Sequence, residues 1–155
     1  MKQDYFGVEL SQSVQLALPL ENIGTVIRIN PDNICFVPGV SPSLLGVINH
    51  QGSLLWILDT HRFLNLESDF CSFQKSLTAI ILKSSITGTR KKVALVVKKL
   101  QGVLTLKTKS ESLSSDHLLW QCQSFFKKII VENHTPIGIV DPDMMFQVLQ
   151  TPINQ

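Results

Sequence analysis

The segment GVINHQGSLLWILDTHRF, at residues 46–63, carries several side chains capable of acid–base or metal chemistry. Asp59 and His61 offer two metal ligands from one strand end, but a metal site needs three or four ligands converging from different segments. No two histidines have the i, i+4 spacing around a carboxylate that marks a helical metal site. We therefore expect surface or capping histidines and no bound metal. The histidines are His50, His61, His117 and His134.

A nucleophilic hydrolase site is a second candidate, because Cys122, His134 and Asp141 are the residue types of a Cys-His-Asp triad. The sequence around the cysteine, WQCQS, lacks the glycines that frame a nucleophile elbow. Neither G-x-G-x-x-G nor G-K-[ST] occurs, so no phosphate-binding loop supports a nucleotide-dependent activity. The sequence favours a protein that is not an enzyme and needs no cofactor, with the hydrolase left as an alternative.

Three short basic clusters raise the alternative of a small cytoplasmic nucleic-acid-binding β-barrel protein. Exposed aromatic residues for base stacking are missing beside them, since alternation directs Phe125 and Phe126 at least partly into the core. The formal net charge is only +2, so the overall electrostatic field is weak. Lysines that oppose aggregation at strand edges are the simpler interpretation, and we expect no nucleic-acid partner. The clusters are Arg90-Lys91-Lys92, Lys98-Lys99 and Lys127-Lys128.

The composition is typical of a globular domain, with 155 residues of which 44% are hydrophobic and 17% charged. A chain of this length forms one compact domain or two small packed halves. Cys35, Cys71 and Cys122 have no paired spacing, so we predict semi-buried thiols in a reducing compartment. No apolar run approaches the ~18 residues of a membrane span, and no export signal is visible. A cytoplasmic location without membrane insertion is the expectation.

Alternating apolar residues predict about ten short strands separated by turns. Strands at residues 6–10 and 14–18 should pair across S-Q-S, and a helical turn after Pro19 should lead into a third strand. A very short strand is expected at residues 34–37. Strands at 46–49 and 53–59 should form a hairpin through H-Q-G, with Gly52 at the flexible position. Apolar residues on both faces of L-L-W-I-L predict that this strand is covered on both sides.

The strand pattern continues at residues 79–82, 93–97, 103–106, 125–131 and 137–140. Surface loops are predicted at residues 67–75, 84–92 and 107–116. Asp141 before Pro142 predicts a helix start, because aspartate caps free N–H groups and proline is tolerated in the first turn. This short C-terminal helix should span residues 142–149. The whole pattern predicts a mainly all-β fold of sandwiched or barrel-like sheets with short helices.

The segment PGVSPSLLGVINHQGSLLWILDTHRFL resembles the signature of the CheW-like chemotaxis adaptor family. In that family a Pro-Gly loop leads to G-V-I-N-x-x-G, a hydrophobic strand and an Asp near the strand end. Three further segments resemble other parts of the family pattern: V-Q-L-A-L-P-L, K-K-V-A-L-V-V-K-K-L-Q-G-V-L and I-G-I-V-D-P-D-M-M-F. The resemblance therefore predicts a single CheW-like domain over residues 5–149.

The resemblance implies two packed five-stranded β-barrel subdomains, the first completed by strands that return late in the chain. It also implies a non-enzymatic scaffold or adaptor in chemotaxis, phototaxis or pilus-based motility signalling. Its implied partners are a methyl-accepting chemoreceptor-like protein and the regulatory domain of a CheA-type histidine kinase. On this interpretation the apolar hairpin residues hold the core between the barrels, and the H-Q-G turn is displayed for contact.

Position by position, the family motif is matched at Gly46, Asn49 and Gly52, and Asp59 matches its acidic residue at the strand end. Gln51 stands where the family usually has an arginine associated with receptor contact, which removes a charge-assisted hydrogen bond.

Two further departures point to a divergent adaptor: Trp56 replaces a common proline, and Lys98 stands where the family often has aspartate. Ile23, Thr25 and Gln51 are predicted nearer the receptor side. The full set of predicted partner-binding residues is Ile23, Thr25, Gly46, Asn49, Gln51, Gly52 and Asp59.

Overall fold

The computed structural model of the protein describes residues 2–10, 14–66, 76–84, 91–107, 125–132 and 135–153. Ten strands and a few short helices account for most of these residues, and the strands form two five-stranded sheets. The predicted mainly β architecture with two five-stranded units is therefore confirmed. The predicted loop at residues 67–75 and most of those at residues 84–92 and 107–116 lie outside the described residues.

The first sheet joins the two opening strands to three strands from the second half of the chain. In order across the sheet they are β8 (Lys99–Lys107), β1 (Lys2–Glu9), β2 (Gln15–Pro19), β10 (Thr135–Val140) and β9 (Phe126–Glu132). β1 and β2 pair antiparallel as predicted, with Phe6 opposite Leu18. β10 pairs parallel to β2, which confirms that late strands complete this sheet.

The second sheet is built from the middle of the chain. In order across the sheet its strands are β3 (Ile23–Ile29), β6 (Leu77–Lys83), β7 (Lys92–Val97), β5 (Ser53–Asp59) and β4 (Leu44–His50). β4 and β5 form the predicted hairpin, and β5 pairs parallel to β7 with Trp56 opposite Val93. The hairpin that carries the family motif therefore lies at one edge of this sheet.

Short helices lie at the ends of strands. Leu20–Asn22 is a 3-10 turn that leads into β3, as predicted, and Pro31–Asn33 is a second one. Helix α1 spans Thr60–Phe63 after β5. Helix α2 spans Pro142–Ile153, and the backbone N–H of Met144 donates to Oδ1 of Asp141 at 3.3 Å. The aspartate cap predicted from the sequence is thus present, and the helix extends past its predicted end.

Hydrophobic residues from both sheets form one central core. The first sheet contributes Leu16 and Leu18, and the second contributes Ile80 and Leu95, all of them fully buried. Helix α2 closes this core with Met145. Each sheet also has a smaller core on its other face, one around Ile57 and Ala79 and one around Ile130 and Ile139. The two sheets consequently pack back to back through the central core.

Alternation along β5 determines which residue enters which core. Leu58 lies in the central core and Trp56 packs against it, whereas Leu55 and Ile57 belong to the core on the opposite face. Leu54, at the start of the strand, is 75% exposed. The prediction that L-L-W-I-L is covered on both faces is correct for the second half of the strand and wrong for Leu54, because the first sheet does not reach that end.

Three other predictions need correction. Among the described residues the sheets are open rather than closed barrels, with β8, β9, β3 and β4 as edge strands. The strand predicted at residues 34–37 is a single bridge between Cys35 and Val47, because the flanking turns leave no room for a longer ladder. Cys35 is exposed rather than semi-buried, while Cys71 and Cys122 lie outside the described residues.

Candidate functional site

The turn between β4 and β5 has two central residues, Gln51 and Gly52, with φ angles of 51° and 82°. Positive φ at both positions defines the type I′ turn, whose twist matches that of the flanking strands. Oδ1 of Asn49 accepts a hydrogen bond from the backbone N–H of Gly52 at 3.1 Å. The sequence predicted the role of Gly52, but it did not reveal that Gln51 also adopts a left-handed conformation.

The turn is displayed to solvent. Asn49, Gln51 and Gly52 are exposed, and His50 is half-buried. Of the predicted partner-binding residues, these three therefore share one accessible surface at the tip of the hairpin. The side chain of Gln51 is uncharged, and apart from Gly52 and its two chain neighbours no atom lies within 4 Å of the position that a Cβ on Gly52 would occupy.

Strand register extends this surface along one face of the sheet. Cys35 lies opposite Val47, Val47 opposite Trp56, and Asn49 opposite Leu54. Directly opposed residues in antiparallel pairs project to the same side of a sheet, and alternate residues of one strand do so too. We call this set the hairpin face: Cys35, Val47, Asn49, Leu54 and Trp56.

Gly46 shapes the hairpin from inside. The residue is buried and has a φ of 144°, and a Cβ placed on it would overlap the backbone carbonyl of Cys35. Only glycine permits this close crossing of two backbones. Gly46 thus holds the segment around Cys35 against β4 and contributes to the hairpin face without contacting solvent.

Asp59 is also buried, with 1% of its surface exposed. Its Oδ1 accepts a hydrogen bond from the backbone N–H of Arg62 at 3.2 Å, which caps α1, and its Oδ2 lies 4.0 Å from Nε of Arg62. Oδ1 also lies 3.8 Å from Nδ1 of His61, which is fully buried. Although Asp59 was predicted as a partner-binding residue, its position supports a structural role beneath the surface.

His61 is a buried base in this cluster. Burial lowers the pKa of its imidazole, the carboxylate of Asp59 acts in the opposite direction, and the ammonium of Lys98 adds to the lowering. A neutral imidazole is therefore favoured in the folded protein. The sequence predicted surface or capping histidines, and His61 is instead part of the interior.

Ile23 and Thr25 lie on β3, the opposite edge of the same sheet from β4, with three strands between them. Thr25 is exposed, whereas Ile23 is half-buried and packs against the central core. A cavity of about 380 Å³ is lined by residues 27–30, at the far end of β3 and just after it, and by Ile48 to His50 at the end of β4. Ile23 and Thr25 thus lie on a different strand from the turn that carries Gln51, and their grouping with it stays a prediction.

Among the described residues, the two most exposed large apolar side chains are Phe36 and Leu54, each 75% exposed, and sequence reasoning missed both. Leu54 looked buried because it belongs to an uninterrupted apolar run. Its position directly after the turn could have predicted its exposure, because the end of a strand beside a turn extends beyond the side chains that cover the rest of the strand. Phe36 follows the single bridge of Cys35, where two turns interrupt regular pairing.

The alternative sites find no support in the described residues. Cys122 and His134 of the hydrolase triad lie outside them, and Asp141 serves as the cap of α2. Lys92 begins β7 in the second sheet, whereas Lys127 lies on β9 at an edge of the first. Across the described ranges no three His, Cys, Asp or Glu side chains are grouped closely enough to hold a metal ion.

No helix in the part of the chain that the structure describes has both the length and the apolar character of a membrane span.

Comparisons with family models and with solved structures both found similarities to this chain. A family model described as the CheW-like domain matches residues 4–150. Among solved structures, the crystal structure of the scaffolding protein TtCheW from Thermoanaerobacter tengcongensis is similar, with a TM-score of 0.66 and 17% sequence identity, covering 90% of this chain and 89% of that chain. This likeness supports the fold, and the comparison with curated proteins found no match. Because the family model spans almost the whole sequence, this chain belongs to the CheW-like family.

Proposed function

We propose that this chain is a non-enzymatic adaptor that couples a methyl-accepting chemoreceptor-like protein to the regulatory domain of a CheA-type histidine kinase. CheW-family proteins are scaffolds rather than enzymes, and in general they couple chemoreceptors to CheA. The observation that carries the proposal is the CheW-like match over residues 4–150. A single adaptor domain over residues 5–149 and a cytoplasmic location, where receptor signalling regions and kinases meet, belong to the same proposal.

An adaptor that holds two partners at once needs two separate surfaces. We assign the receptor to the tip of the hairpin, where Asn49, Gln51 and Gly52 are exposed beside Leu54. An exposed apolar residue next to polar groups is a common arrangement of protein interfaces, in which an apolar centre is surrounded by a polar rim. Gly46 and Asp59 contribute indirectly, since both are buried and hold the hairpin and its end in place.

We assign the kinase to the edge strand β3, which is the other end strand in the order of the same sheet. Thr25 is exposed there and Val26 is 43% exposed, and no charged residue occurs between Ile23 and Ile27. The other described edges are less suitable, because β8 begins and ends with lysine and β9 carries Lys127 and Lys128. This assignment moves Ile23 and Thr25 from the receptor side, where the sequence placed them, to the kinase side.

A turn tip and one edge strand offer small contact areas, so we expect each contact to be weak alone. Binding becomes firm when several adaptors, receptors and kinases assemble together, because linked sites raise the effective concentration of each partner. The adaptor then acts by holding its partners together and not by catalysing a reaction.

Co-purification followed by a binding titration tests the proposal. The tagged chain should retain a chemoreceptor and a CheA-type kinase from its own cells, and the purified kinase regulatory domain should bind at micromolar concentrations. Val26→Lys should weaken kinase binding at least about tenfold, since a charge would be placed in an apolar contact. Val103→Lys is the matched control, because Val103 is also an apolar residue on an edge strand, 63% exposed, but in the other sheet. Absence of any binding to the regulatory domain at micromolar concentrations would refute the adaptor function.

A further inference from the structure

The cavity of about 380 Å³ lies between the ends of the edge strands β3 and β4. Its third wall is the 3-10 turn at Pro31–Asn33, which contributes Asn33 to the lining. Small-molecule sites in proteins occupy about 300–1,000 Å³, so the cavity has room for a small organic ligand. The chemistry of its lining determines which class of ligand would fit.

Apolar side chains form the buried part of the lining. Ile29 is buried in the smaller core of the second sheet, and Ile27 and Ile48 are half-buried and pack against that core. These three isoleucines come from both edge strands and converge on one cavity. A hydrocarbon group placed against them would be removed from water, which is favourable.

Arg28 gives the lining a positive charge. None of the described residues that line the cavity is acidic, and among the described residues no carboxylate forms an ion pair with Arg28. Its Nη1 donates to Oγ of Ser76 at 3.4 Å. A guanidinium has five N–H donors and no acceptor, so most of its donors remain for a ligand. Asp32, the nearest acidic residue in the sequence, is exposed and is not part of the lining.

The amides that line the cavity add further donors. Oδ1 of Asn30 accepts a hydrogen bond from the backbone N–H of Asp32 at 2.9 Å, and Oδ1 of Asn49 accepts one from the backbone N–H of Gly52 at 3.1 Å. Because each oxygen is used by the backbone, each side chain keeps the two N–H donors of its Nδ2 for another partner. The imidazole of His50 offers a donor in either protonation state.

We propose that this cavity binds a small organic acid. Arg28 and the amides of Asn30 and Asn49 would hold its carboxylate, and the isoleucines would contact its hydrocarbon part. A guanidinium forms strong, often bidentate hydrogen bonds with a carboxylate, and a cation would be repelled by it. A monocarboxylate also matches the single charge of Arg28, whereas a phosphate monoester carries nearly two negative charges. The proposal rests on the lining of the cavity alone and does not depend on the adaptor function.

Titration of the full chain, labelled with 15N and followed by NMR, tests the proposal with 3-methylbutanoate as the probe. We expect the backbone amide signals of Arg28 and Asn49 to shift with a Kd of about 10 mM or lower. The neutral isostere 3-methylbutanamide should bind at least about tenfold more weakly, because it lacks the charge. Inorganic phosphate should also bind at least about tenfold more weakly, because it lacks the hydrocarbon part. Sodium chloride at equal ionic strength corrects for salt.

Three variants separate the cavity from general surface charge. Arg28→Gln should weaken binding of 3-methylbutanoate at least about tenfold. Asn33→Asp should do the same, because it places a negative charge at an exposed position of the lining. Lys127→Gln is the control, since it removes one exposed positive charge from the other sheet, and it should change the Kd less than about twofold. Thermal unfolding shows that each variant remains folded.

Several results would overturn the proposal. One is the absence of shifts at Arg28 and Asn49 up to about 100 mM probe. Equal binding of the amide would show a site for neutral ligands, and equal binding of phosphate would show an unspecific anion site. An Arg28→Gln protein that keeps its affinity within about twofold would show that the acid binds elsewhere.

Discussion

Nδ1 of His61 lies 3.8 Å from Oδ1 of Asp59, and both side chains are buried at the junction between β5 and α1. The backbone N–H of Asp59 also donates to the carbonyl of Ser43 at 2.8 Å, which ties the end of β5 to the loop before β4. This buried polar cluster connects the strand end, the short helix and the Pro-Gly loop. Because it holds the base of the hairpin, a change in the charge of Asp59 or His61 should change the stability of the protein.

The pKa of His61 predicts a fall in stability on acidification. Burial lowers this pKa in the folded protein below the ordinary value of 6.5 that applies to the unfolded chain. Below about pH 6.5 the unfolded chain therefore binds a proton that the folded protein resists, so the free energy of unfolding falls as pH decreases toward the lowered pKa. Chemical denaturation at about pH 7.5 and pH 5.5 measures this difference.

His61→Gln should reduce that pH dependence, because glutamine does not titrate. Equal pH dependence in the wild type and His61→Gln would contradict the assignment.

Asp59 should matter for stability through its capping oxygen. Asp59→Ala removes the acceptor of the Arg62 N–H and should lower the free energy of unfolding by about 2 kcal/mol. Asp59→Asn keeps an acceptor at the same position and should cost clearly less. Urea denaturation compares the two variants. A stable Asp59→Asn protein that fails to bind a partner would instead indicate a direct binding role.

Gly46→Ala should be among the more damaging single-methyl changes in the hairpin. The new Cβ would overlap the carbonyl of Cys35, and the positive φ adds strain, so we expect a loss of about 3 kcal/mol. Gly39→Ala is a matched control, because Gly39 also has a positive φ, of 84°, but apart from Gly39 and its two chain neighbours no atom lies within 4 Å of its Cβ position. Its expected cost is about 1 kcal/mol. Equal losses in the two variants would rule out the steric explanation.

Gln51→Asn should stabilise the hairpin by about 0.5 kcal/mol, because asparagine tolerates the left-handed conformation better than glutamine and precedes Gly52 in the preferred type I′ pair. Gln51→Val should destabilise it by about 1 kcal/mol, since a β-branched residue is strained at positive φ. Thermal unfolding measures both changes. Gln101→Asn, at an exposed position within strand β8, should give no stabilisation, and the same gain there would show that the turn is not responsible.

Local features were predictable because their causes lie within a few residues. Gly52 marked the tight turn, and the pair Asp141-Pro142 marked the start of α2 through a side chain that caps the next N–H groups. Strand positions followed from alternation over five to nine residues. The bridge at Cys35 was mistaken for a strand because turn residues on both sides limit it, and alternation in so short a segment carries little information.

The candidate site was only partly predictable. The family motif identified Asn49, Gln51 and Gly52, and the structure places these three together on an exposed tip. Residue type did not reveal that Asp59 is buried or that Leu54 is exposed, since a carboxylate is usually outside and an apolar run is usually inside. Ile23 and Thr25 lie on β3 rather than on the hairpin, so their grouping with the turn stays a prediction.

By itself the amino-acid sequence determined the order and type of the elements, the hairpin turn, the C-terminal cap and the family, because each depends on short-range patterns. Only the tertiary structure decided how the elements meet: the parallel pairs β2–β10 and β5–β7, the burial of Asp59 and His61, and the exposure of Leu54. These features arise where segments far apart in the chain cover one another or fail to do so. Such coverage depends on the whole fold and is not encoded in any local stretch.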